Sequence, residues 1–199
     1  MEEETSKLKI IHINCYKLFL CNLEMKYIFE EANEDDIRNY NSDPFLRFCM
    51  ESIHIHFCLL ANNLISESKH EAYSIIKYLK KDLKDNETGK TVLQMLSTSE
   101  FKNAWNKVKE LRNKCYAHND KEAETILEQV KLNQTERNII TENLKKSIIE
   151  LYKEKGIQLE SFRMGRPKIE LKLKVIQEWK SNLVKESLEH IMKRNEVRL

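Results

Sequence analysis

Three glycines and two prolines are the only punctuation in 199 residues. These residue types mark turns, so a sheet protein built from many hairpins is excluded. Long helices joined by a few polar breaks fit the scarcity, and the fold class read from it is all-α, a helical bundle. Charge of one sign is also lacking, since 34 basic residues face 32 acidic ones, for a net +2. Bulk electrostatics therefore predict no nucleic-acid binding, and any such site must be a local patch. None of the five cysteines, Cys15, Cys21, Cys49, Cys58 and Cys115, forms a C-x-x-C pair. Four of them sit inside apolar helical runs, which reads as reduced thiols and a cytoplasmic setting. The most apolar run, Ile10 to Leu23, is broken by His12, Asn14, Lys17 and Asn22. It falls short of the ~20 residues that span a bilayer, and the acidic start Met1-Glu2-Glu3-Glu4 is unlike a signal peptide. No P-loop, dinucleotide fingerprint or nucleophile elbow is present.

What is there is helical periodicity. Leu8, Ile11, Cys15, Leu18, Met25 and Phe29 recur at three- and four-residue steps and predict a first helix from Thr5 to Ala32. Asp43-Pro44 opens a second, Phe45 to Ile65, apolar on nearly every side and so expected to be central and buried. A shorter helix is predicted over Glu71 to Leu83, ended by Asp85 to Gly89. The next covers Thr91 to Tyr116, interrupted where Ser97 and Glu100 form a capping-box pattern. Glu122 to Leu132 and Glu136 to Tyr152 follow, the latter capped by Thr135, and Gly156 is a stop signal. This divides the chain into a bundle over residues 1–155 and, over 156–199, a connector plus an amphipathic helix bearing Trp179.

One segment carries pointed chemistry: Leu111-Arg112-Asn113-Lys114-Cys115-Tyr116-Ala117-His118-Asn119-Asp120. An arginine followed at this spacing by a histidine is weak by itself, and Arg47 with His54 supplies a second match inside the most apolar helix. A polar pair in or near the core accounts for that second match. At Arg112 the context adds an adjacent asparagine, a small residue before the histidine, and the ending Ala117-His118-Asn119-Asp120. This string resembles the motif of HEPN-superfamily ribonucleases, particularly those of the bacterial abortive-infection type. The helical layout extends a looser resemblance over residues 5–152. The resemblance implies a homodimer with two motif copies facing one groove, each motif lying at a helix terminus. Six positions along a straight helix turn a side chain by about 240° and advance it about 9 Å, so for Arg112 and His118 to reach one phosphate the helix must end or bend near Tyr116 to Ala117, or the site must be shared between chains.

RNA carries its own nucleophile, the 2′-hydroxyl, so such an enzyme has only to move protons and stabilise charge. His118 suits proton transfer near neutral pH. Arg112 can hold phosphate oxygens in its fork, and Asn113 can orient the histidine or the phosphate. No metal or cofactor is required, and the product is a 2′,3′-cyclic phosphate with a 5′-hydroxyl. Lys107, Lys109, Lys114 and Lys121 form the local excess of positive charge expected to bind nucleic acid. The resulting expectation is a metal-independent endoribonuclease, a toxin or phage-defence effector acting on RNA such as tRNA, with an antitoxin as a possible partner. The bland alternative is a helix end whose Arg and His bind carbonyls and a carboxylate such as Asp120. A further alternative is a non-catalytic RNA- or nucleotide-binding or protein-interaction module.

Two weaker features remain. His54 and His56 lie two apart, so a helix does not point them the same way, and core or interface histidines are the expectation. Glu51 nearby is a candidate inward polar residue for the Arg112 site. Met164-Gly165-Arg166-Pro167-Lys168 reads as a linker.

Overall fold

A computed structural model describes residues 2–34, 37–38, 42–71, 73–116 and 130–157. Among these, every regular element is a helix and there is no strand. The elements are α1 (Glu2–Lys26), α2 (Pro44–Ile65), α3 (Ile75–Asp82), α4 (Glu87–Met95), α5 (Ser99–Glu110) and α6 (Gln134–Glu154). Two π-helical turns, Tyr27–Glu31 and Leu111–Tyr116, continue α1 and α5. The connector and amphipathic helix predicted over 156–199 lie outside the described residues, apart from Gly156 and Ile157. No described helix is long and apolar enough to cross a membrane.

The core forms where α1 packs against α2 and α6, and where α5 packs against α2 and α6. Leu8, Ile11 and Leu18 of α1, Phe57 and Leu64 of α2, and Ile140, Leu144 and Ile148 of α6 are all essentially solvent-free. Removing this apolar surface from water drives the assembly, at about 25 cal/mol per Å². A polar network is buried within it. Asn22 donates to Asn138 Oδ1 (2.9 Å) and Thr141 Oγ1 (3.1 Å), and its own oxygen accepts from Gln134 Nε2 (2.9 Å). With these atoms partnered, α1 and α6 share one register. Cys15 and Cys58 are buried and, like Cys21 and Cys49, form no disulfide; burial pushes the Cys21 thiol up to about 11.

Several element boundaries differ from the sequence expectations, and each has a local cause. The first α-helix stops at Lys26, where the backbone widens so that Ala32 N–H reaches Tyr27 C=O at 2.7 Å. Ser74 caps α3 by accepting from Lys77 N–H, so Glu71 lies before the helix. Asn86 starts α4 by accepting from the amides of Thr88 and Gly89; the Asp85–Gly89 segment thus opens a helix where a break was expected. Thr98, and not Ser97, caps α5 by accepting from Phe101 N–H. Asn133, and not Thr135, caps α6 through a complete capping box with Glu136. Residues 130–132, expected as a helix end, are irregular: the carbonyls of Lys131 and Leu132 accept from the side chains of Lys107 and Arg137.

Gly156 stops α6 as expected. Its φ of +64° lets its amide reach Lys153 C=O while Ile157 N–H reaches Tyr152 C=O, a Schellman pairing. The second helix is central only in its C-terminal half, Phe57 to Ile65. Its first turns leave Phe48 64% exposed and Phe45 41% exposed.

Candidate functional site

The segment expected to carry the chemistry begins where α5 loses its α geometry. Phe101, Ala104 and Val108 fix one face of α5 in the core, and Leu111, 1% exposed, is the next residue on that face. From Leu111 the chain turns as a π-helix to Tyr116, packed against α2. A π turn is rare and is frequently found at functional sites. It changes the direction in which successive side chains leave the helix relative to a straight α extension.

Arg112 is half-buried on this turn. Its Nη1 donates to the Oδ1 of Asn113 at 2.9 Å, while its Nε is buried and meets no acceptor among the described residues. Among the described residues no carboxylate lies within ion-pair distance of it. An unpartnered buried N–H costs about 1–3 kcal/mol, so the arrangement keeps donor capacity unspent next to a permanent positive charge. An anionic oxygen arriving at this position would meet both.

His118 and Lys121 lie outside the described residues, as does the side chain of Lys114. Lys109 is exposed. Lys107 is committed inside the fold: its Nζ pairs with Glu136 Oε1 at 2.7 Å and donates to Lys131 C=O at 3.1 Å. It ties α5 to the start of α6, so in this geometry its charge is shared with a carboxylate and not held for a phosphate.

A feature that the sequence did not announce lies beside the motif. A cavity of about 820 Å³ opens between the end of α1, α2, Leu111 and the residues leading into α6. Its walls are aliphatic or thioether side chains such as Met25, Ile28, Met50, Ile53 and Leu132, joined by Glu51, His54 and Arg137. Glu51, the suspected helper of Arg112, is exposed and shares this cavity with Leu111. Burial, and secondarily the charge of Arg137, pulls His54 down to about 4, so its imidazole is neutral at pH 7. Arg137 is 5% exposed and donates to Gln134 Oε1 (3.1 Å) and to Leu132 C=O. His56, two positions from His54, is exposed, as helical geometry requires. The clue to the buried network was present as Asn22, a polar residue interrupting an apolar run; Arg137 gave no comparable signal.

No protein-family model, curated protein or solved structure matches this chain.

Proposed function

We propose that the chain is a metal-independent endoribonuclease that cleaves RNA by attack of the 2′-hydroxyl on the adjacent phosphate. In this reading Arg112 holds the non-bridging oxygens, Asn113 positions the guanidinium, and His118 moves the proton. One observation carries the reading: the Arg112 guanidinium is half-buried, oriented by a neutral neighbour, and left with a buried Nε that has no acceptor among the described residues. A purely structural arginine so placed would normally be paired. The similarity of the Arg112–Asp120 string to the HEPN motif supports the same assignment, along with a homodimer and a cytoplasmic toxin or phage-defence role.

Its test is growth. Expression of the wild-type chain should arrest cells, and Arg112→Ala or His118→Ala should relieve the arrest while helical circular dichroism is unchanged. Arrest retained by both variants overturns the reading.

The cavity of about 820 Å³ favours a second reading, a non-catalytic binding module, because its volume lies in the range of ligand pockets. That reading expects saturable binding with no cleavage.

A further inference from the structure

The cavity of about 820 Å³ has an apolar floor and a charged mouth. Met25, Ile28, Leu111 and Leu132 line the floor and are all buried. Among the described residues no Phe, Tyr or Trp lines the cavity, so it offers no large π face on which a flat ring would stack. Thioethers and branched aliphatics suit a flexible hydrocarbon chain instead, and methionine adapts to its shape.

The buried polar groups of the floor are already engaged. Arg137 donates to Leu132 C=O and Gln134 Oε1, and Gln134 Nε2 donates to Asn22 and Asn138. His54 is neutral at pH 7 and adds no charge. The mouth is different. Glu30, Glu51 and Lys131 line the cavity and are exposed, and among the described residues no ion pair holds any of the three. Two carboxylates thus face one ammonium where a ligand would enter.

The sign of that surplus selects a head group. An anionic head left at the mouth meets net repulsion. Driven inward to Arg137, it loses its hydration and competes with the bonds that hold the guanidinium, a costly exchange in an apolar cavity. A cationic head at the mouth stays hydrated and meets two acceptors while its chain leaves water.

We propose that this cavity binds an aliphatic amphiphile with an amine head, its chain on the Met25–Leu111–Leu132 floor and its ammonium between Glu30 and Glu51. The proposal rests on the binding reading of the cavity and does not require Arg112 to cleave RNA.

Calorimetric titration of the full chain at pH 7 with octylamine, octanol and octanoate tests it, since one chain then carries three heads. Octylamine should bind at one site, about three- to tenfold tighter than octanoate, with octanol between. Hexylamine, two methylenes shorter, should bind about tenfold more weakly than octylamine. Glu30→Gln combined with Glu51→Gln changes two exposed side chains; it should bring octylamine to within about twofold of octanol and leave octanol unchanged. Ile53→Trp, which fills the cavity, should abolish binding of both, with circular dichroism checking that each variant keeps its helices. Failure of all three ligands to bind overturns the proposal together with the binding reading. Octanoate binding tightest overturns the amine assignment and leaves a binding cavity standing. An amine preference that survives the double glutamine variant overturns the role given to Glu30 and Glu51.

Discussion

Arg112 gives one N–H of its guanidinium to Asn113 Oδ1 at 2.9 Å, and among the described residues its buried Nε has no acceptor. Two side chains adjacent in sequence thus form one unit on a π turn, with Asn113 able to aim Arg112 without neutralising it. A carboxylate in the same place would do the opposite.

The first prediction follows from that difference. Asn113→Asp turns the neutral acceptor into an ion-pair partner that competes with phosphate for the fork. RNA cleavage should fall about a hundredfold, more than the roughly tenfold expected for Asn113→Ala. Single-turnover rates on a short RNA measure both. An Asn113→Asp protein as fast as the wild type contradicts the assigned role.

His54 makes stability depend on pH. Its folded pKa of about 4 lies below the unfolded value of 6.5, so the unfolded chain takes up the proton first as pH falls. The stability contributed by a neutral His54 is fully present above about pH 6.5 and is lost as pH drops toward 4. A depression of this size corresponds to up to about 3 kcal/mol. His12, also lowered by burial, acts in the same direction. Urea midpoints at pH 7 and pH 4.5 should therefore differ, and His54→Gln should flatten the difference.

Gly89 sits inside α4, where alanine would ordinarily stabilise a helix by about 1 kcal/mol. Here a Cβ would collide with the carbonyl oxygen of Leu83, a backbone atom that cannot swing aside. Gly89→Ala should accordingly destabilise the fold, by about 1–3 kcal/mol, as read by chemical denaturation. A gain in stability would mean that the α3–α4 corner yields.

Gly89 also shows what the sequence could and could not tell. The all-helical class was legible from the scarcity of turn residues and from the stripe of Leu8, Ile11, Cys15 and Leu18, because periodicity reports which face is buried. Gly156 was legible as a stop because a positive φ favours glycine. Gly89 read as a break because its reason, the approach of Leu83, is a tertiary contact. The helix starts at Thr98 and Asn133 were missed by one or two residues, since neighbouring Ser97 and Thr135 offer the same cap chemistry and only packing chooses between them. The Arg112–Asn113 pairing follows from adjacency, whereas the cavity joining Leu111, Glu51 and His54 to Arg137 depends on how α2 and α6 meet. The commitment of Lys107 to Glu136 was hidden for the same reason. Lysines close in sequence to Arg112 looked like one basic patch, but residue spacing along α5 does not reveal the partner on another helix.

The central claim is that the Arg112 site cleaves RNA with its own side chains. It is tested most directly by incubating purified protein with total RNA and tRNA in EDTA, beside Arg112→Ala and His118→Ala, and analysing the new 3′ ends. Fragments ending in 2′,3′-cyclic phosphate are expected with the wild type and none with either variant. Intact RNA in every tube, or equal cleavage by the variants, would contradict it.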